Sequence, residues 1–302
     1  MMKNRIPAMI LAFLTAVSLS ACRSAGTAET QPAADGTEQT VTFPQETEKA
    51  PDLLFAETVL IDDENCTVSI TGIEDDSIWG YTLKAYLENK TDINLMFSLE
   101  DVSVNGFMCD PFWACSVSAG MKSHEDIRFL ADDFRRNGIS APSAIRFTLN
   151  VYDADNYTAE HLLSQSFTLY PLGEEAVEEY HREPAAGETV LFDNAYASMI
   201  VTGTDPDNIW GYGLCVYLEN KTDKPLMFSA SDVAVNGFMC DPYWSVRVAP
   251  GMRSNTVISW FEDDFQENGI TDVESIVLPI TVSDAEDWMA EDLVNESFTL
   301  NP

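Results

Sequence analysis

Apolar and polar residues alternate most clearly at Tyr81, Leu83, Ala85 and Leu87, which interleave with Thr82, Lys84, Tyr86 and Glu88. A period of two places one set on a single face of an extended chain and predicts a half-buried β-strand. ENKTD (88–92) follows, with the composition of a turn, and then the apolar run LMFS (95–98). Val68 and Ile70 predict an earlier strand; AIRFTLNVYD (144–153) and SFTLYP (166–171) predict late ones. LADDFRRNGI (130–139) is the one helix-like patch, and Asn137-Gly138 would end a single turn at a strand crossover. Short strands separated by turn signals predict an all-β chain of antiparallel sandwiches.

The pattern is written twice. Residues 57–171 align onto 188–302 without a gap, about half of the positions being identical. IWGYTLKAYLENKTDINLMFS (78–98) matches IWGYGLCVYLENKTDKPLMFS (209–229), and DDFRRNGI (132–139) matches DDFQENGI (263–270). Repeats of this size predict two complete domains in tandem, 51–171 and 188–302, joined by an acidic linker at 172–187 whose first part has room for a helical turn or two. Pro279 places the late strand of the second repeat near a sheet edge, or the proline at its start.

VNGFMCDPFW (104–113) returns as VNGFMCDPYW (235–244). Asn-Gly between apolar residues is a strong hairpin signal, because both turn positions need positive φ. Asp-Pro marks a second turn, and Trp113 opens a further strand. A cysteine beside an aspartate, repeated, is open to reading as a nucleophile, a metal ligand or part of a turn. The second repeat has no histidine, with Asn255 replacing His124 and Asp292 replacing His161, which excludes a shared Cys–His pair. Val246 in place of Cys115 leaves no shared zinc cluster, and a Cys109–Cys115 disulfide would be private to the first copy. Cys109 and Cys240 are read as small buried hydrophobes. No catalytic residue, cofactor or metal site is expected. Trp79, Trp113, Trp210 and Trp244 are the candidate binding aromatics, against the alternative of core packing. Acidic pairs in loops, such as Asp132-Asp133 and Asp263-Asp264, suit turn chemistry, with calcium as the alternative and a carboxylate hydrolase a more remote one.

The first 22 residues add a destination. Lys3 and Arg5 precede a short apolar run, the pattern of a secretory signal peptide over 1–21, and LSAC at 19–22 looks like a lipobox, which implies lipidation of Cys22. Two acyl chains on Cys22 would anchor the protein stably to a membrane. Residues 22–50 then read as the lipidated cysteine and a flexible tether. The formal net charge of -34 over 302 residues argues against nucleic acid as a partner. The lipobox, the tether and domains built around LENKTD, LMFS and VNGFMCDP-W resemble the immunoglobulin-like domains of surface lipoproteins in Gram-positive bacteria. That resemblance implies two tandem immunoglobulin-like β-sandwiches on the extracytoplasmic face of the cell membrane, and supplies no active-site residues. The Cys…Trp…Cys framework of antibody domains is not followed here. The expectation is a non-enzymatic binding or scaffold module for an envelope protein or surface ligand, with a calcium- or glycan-binding lipoprotein as the alternative.

Overall fold

The computed structural model describes residues 56–76, 80–156, 158–205 and 208–302. The expected signal peptide, Cys22, the expected tether and Trp79 lie outside the described residues.

In the first repeat the strands are β1 (Thr58–Asp62), β2 (Cys66–Asp76), β3 (Gly80–Asn89), β4 (Leu95–Val104), β5 (Phe107–Met108), β6 (Ala114–Val117), β7 (Lys122–Arg128), β8 (Ile145–Asp153) and β9 (Leu163–Leu169), with helix α1 (Ala131–Arg136) between β7 and β8. One sheet runs β1-β2-β3-β7. In the other, β9 pairs with β8 and β8 with β4, while the free side of β4 carries β6 along its first half and β5 at its end. Apart from the added β1, strands β2, β3 and β7 take the places of A, B and E, and β4, β8 and β9 those of C, F and G. That is the immunoglobulin-like order.

The second repeat builds the same sandwich from β10 (Thr189–Asp193), β11 (Ala197–Asp205), β12 (Gly211–Asn220), β13 (Leu226–Ala230), β14 (Ala234–Val235), β15 (Phe238–Met239), β16 (Ser245–Val248), β17 (Arg253–Phe261), α2 (Glu262–Glu267), β18 (Ile276–Asp284) and β19 (Val294–Leu300). β10, β11, β12 and β17 form one sheet; β19, β18, β13 and β14 form the other, with β16 and β15 on its outer side. The protein is therefore an all-β chain of two tandem immunoglobulin-like sandwiches. Among the described residues no helix is long and apolar enough to cross a membrane.

Each sandwich has its own core, because the period-2 pattern turns alternate side chains inward. Tyr81, Leu83, Ala85 and Leu87 are all buried and face Phe97, Phe147 and Leu149 from the opposite sheet. Met199, Leu214, Val216, Phe228, Trp260 and Leu278 do the same in the second repeat. The ENKTD turn is held from inside. Asn89 Nδ2 donates to the carbonyls of Ile93 (2.7 Å) and Val117 (2.8 Å), and its Oδ1 accepts from Thr91. Asn220 repeats this with Lys224 and Val248. Glycine in the repeated IWGY is dictated by space. A Cβ on Gly80 would sit 2.5 Å from the Phe129 carbonyl oxygen, and one on Gly211 2.7 Å from that of Trp260.

Pro279 departs from expectation, since β18 is paired on both sides. Ala230 of β13 lies opposite Ile280 and Ala234 of β14 opposite Val277, so three residues on one side face two on the other. The ladder is interrupted there, and the proline sits at that break, where a missing N–H is tolerated. The early part of the linker forms a single 3-10 turn at Glu174–Ala176.

Candidate functional site

The cysteines of the repeated motif are buried and free. Cys109 is 2% exposed, its Sγ lies 3.6 Å from Asn137 Nδ2, and burial pushes its thiol up to about 12. Cys240 stands in the same relation to Asn268, at 3.7 Å. A nucleophilic thiol needs a base or a depressed pKa, and these have the opposite. Cys115 is also free, its thiol raised to about 11 by burial and by Glu125.

The candidate tryptophans do not converge. Trp244 is 8% exposed and belongs to the second core, which withdraws its ring from any ligand. Trp113 is half-buried against the first core. Trp210 is exposed, its ring edge-on to Phe261 at 5.9 Å. The acidic pairs belong to the first turns of the short helices, Asp263 and Asp264 in α2. Asp132 and Asp133 lie in the first turn of α1 and bond Arg135 and Arg136, while Asp284 accepts from Glu286 N (2.9 Å) and Lys224 Nζ (2.7 Å). Among the described residues no group of three or more His, Cys, Asp or Glu side chains converges as metal ligands.

What the fold does assemble is a hairpin that docks. Asn105 (φ 50°) and Gly106 (φ 82°) make the two-residue turn between β4 and β5. Asn105 Oδ1 accepts from the backbone of Ser143 (2.8 Å) and Ala144 (3.1 Å), and its Nδ2 donates to the Ala141 carbonyl (2.9 Å). The turn is thereby pinned to the loop after α1, and the hairpin projects as a rigid tip. In the first repeat this tip presses on the second. The Gly106 carbonyl accepts from Arg253 N at 2.9 Å, so β5 extends the β10-β11-β12-β17 sheet by one bridge. Phe107, 4% exposed, sits on the outward-facing Ile200 and Tyr217, with Tyr180 of the linker edge-on at 4.9 Å. Met108 packs against the second core. Asn255 N and Nδ2 donate to Asn137 Oδ1 at 3.3 and 3.1 Å. Arg247 grips Asp101 through Nε (2.8 Å) and Nη2 (3.1 Å), the fork geometry that suits a carboxylate. The linker is stitched into the same place, since Arg182 lies over the Tyr217 ring at 4.8 Å and pairs with Glu188 at 2.5 Å. An open cleft of about 460 Å³ remains beside the tip, lined by Asn105, Phe107, Ile139, Tyr180 and His181 among others.

The second repeat carries the same tip without a dock of this kind among the described residues. Asn236 (φ 50°) and Gly237 (φ 84°) form the turn, and Asn236 is pinned to Asp272, Glu274 and Ser275. Yet Phe238 is 47% exposed and Met239 64%. Sequence reasoning found both hairpins and missed the dock. Its trace is in the differences between the copies at outward strand positions, where Ser69, Lys84, Ser116 and Asp126 give way to Ile200, Cys215, Arg247 and Val257.

Fold and tip together define a tandem immunoglobulin-like protein whose repeats are joined by a hairpin plug. No protein-family model matches the chain, and no curated protein does either. Among solved structures, the chain is similar to the YadV chaperone, at 14% identity and a TM-score of 0.22, over 78% of this chain and 100% of that one. It is similar also to the Salmonella enterica SafA pilin in complex with the SafB chaperone, at 11% identity and a TM-score of 0.22, over 80% and 98%. At that score the likeness carries no argument, and the fold rests on the strand order above.

Proposed function

We propose that this protein is a non-enzymatic binding or scaffold module, held at the extracytoplasmic face of the cell membrane through a lipidated Cys22. The observation that carries the binding reading is the contrast between two identical hairpins: Phe107 is buried and Phe238 is exposed. A rigid apolar tip in water is an interaction site awaiting a partner rather than a reaction centre. The membrane part rests on the order of basic residues, apolar run and LSAC at the start of the chain. The resemblance to Gram-positive surface lipoproteins points the same way. The two repeats would then stand off the membrane on residues 22–50 and meet an envelope protein or surface ligand.

Two measurements test this. Lipid labelling in cells should mark the wild-type chain and not Cys22→Ala, which should leave the membrane fraction; an unlabelled or soluble wild-type protein would overturn the anchor. Crosslinking in the native envelope, followed by capture of the intact chain and mass spectrometry, should return a near-stoichiometric protein partner. Recovery of the chain alone would overturn the scaffold reading.

A further inference from the structure

We propose that the hairpin end of the second repeat is a plug for a partner protein that presents an immunoglobulin-like sheet face of the kind the second repeat itself offers to Phe107. This rests on the binding-module reading and specifies its surface and partner chemistry.

The internal dock is the template. It has three parts: a backbone bridge from Gly106 to Arg253, an aliphatic–tyrosine seat of Ile200 and Tyr217 under Phe107, and a bidentate Arg247 on Asp101. Every donor part recurs in the second repeat. Gly237, Phe238 and Met239 match Gly106, Phe107 and Met108, and exposed Asp232 (φ 57°) matches Asp101 (φ 52°). The turn is already formed and pinned through Asn236. Docking therefore costs little ordering, which favours affinity.

The receiving face is not repeated. The first repeat has Ser69 for Ile200, Ser116 for Arg247 and Asp126 for Val257, and only Tyr86 of the seat is kept. Another copy of the chain thus offers neither the aliphatic seat nor the arginine. Its own second-repeat face is already filled by Phe107. Around the free tip stand Asp232, Asp241, Asp272 and Glu274. Charge complementarity therefore selects a basic receiver: a sheet edge with an aliphatic–tyrosine seat and an arginine spaced to reach Asp232.

The test uses the full chain carrying Cys22→Ser, so that no detergent competes for the tip. In one arm, Asp101→Ala/Phe107→Ala empties the receiver on the second repeat without entering either core. In the other, Ser69→Ile/Ser116→Arg/Lys122→Arg builds a receiver on the first repeat. Sedimentation velocity from about 1 to 100 µM, the range of moderate affinities, should show the wild type as a monomer. A freed or built receiver should gather chains into oligomers, and adding Asp232→Ala/Phe238→Ala should return them to monomers. The proposal is overturned if both receiver variants stay monomeric while circular dichroism and a cooperative melt show them folded, or if oligomers survive loss of Phe238. Peroxide footprinting supplies a further check, with Met239 oxidising at least tenfold faster than Met108 in the wild type. A protected Met239 in the monomer would mean that the chain covers its own tip, and would also overturn the proposal. Neither arm involves a membrane or envelope, so failure here is separate from failure of the anchor or of partner capture.

Discussion

Asn105 shows how one residue serves two purposes. Its positive φ makes the hairpin turn, and its side chain ties that turn to the loop before β8. The first purpose is legible in sequence, because Asn-Gly between apolar residues has a local cause. The second is not, since its partners lie 36 to 39 positions away. Asn105→Ala should lose both and cost about 2–4 kcal/mol in urea unfolding. Asn105→Gly should recover only the backbone part; a glycine variant as stable as the wild type would show that the pinning bonds contribute nothing. Cys109 was legible for a different reason: a second copy without histidine removed the chemistry, and the fold then buried the thiol. Cys109→Ser should cost about 1–3 kcal/mol by placing a hydroxyl in an apolar site. Thiol titration of the native chain should find Cys109 and Cys240 silent until the protein unfolds.

At the scale of elements, the junction takes its plug from residues that the two repeats share and most of its receiving face from residues that differ between them. The alternation in β3, the Asn-Gly turns and the short helix follow from local pattern, and each stands where the sequence placed it. Pro279 was misplaced because a break between β13 and β14, formed by residues some fifty positions earlier, supplies the gap that a proline needs. The dock escaped for a related reason: an outward-facing isoleucine reads as an isolated exposed residue until a second domain lies on it. Phe107 and Phe238 give a direct measure of that context, being the same residue in the same motif. Phe107→Ala should destabilise by about 3–5 kcal/mol, the range for a buried aromatic. Phe238→Ala should stay within about 0.5 kcal/mol, as at a free surface. Matched losses in parallel denaturation curves would mean that the two tips share one environment. Arg247→Ala should cost about 1.5–3 kcal/mol, because its bidentate bond to Asp101 is charge-assisted and the two side chains are only 24% and 19% exposed.

Over the whole molecule the dominant fact is the formal charge of -34, and within it the local surroundings shift two groups of carboxylates in opposite directions. Lys90 bonding holds Asp62 below the usual carboxylate range, and Lys84, Lys221 and Lys224 do the same for Asp126, Asp193 and Asp284. A depressed folded-state pKa contributes stability that is present above the unfolded value and is lost as pH falls through the folded one. Asp110 and Asp133 are raised, chiefly by burial. Their contribution has the reverse sign: it is complete below the unfolded value and is lost as pH rises through the folded one. At neutral pH these two therefore weaken the fold, together with the repulsion among the unpaired carboxylates. The depressed group belongs to largely exposed ion pairs, which contribute little each. Repulsion, spread over tens of charges, outweighs them until the carboxylates protonate. Melting temperature should therefore rise as pH is lowered from 8 toward about 5, and fall again below about pH 4 as Asp62, Asp126, Asp193 and Asp284 are neutralised. At pH 7.5, raising salt from about 0.05 to 0.5 M should increase it by screening. Asp110→Asn isolates one term, because the amide oxygen can still accept the 2.7 Å bond from Phe112 N. It should raise the melting temperature at pH 7 and change nothing at pH 3, where the native aspartate is already neutral. An equal gain at both pH values would trace the effect to packing, and a loss at pH 7 would mean that the charge at Asp110 supports the turn rather than straining it.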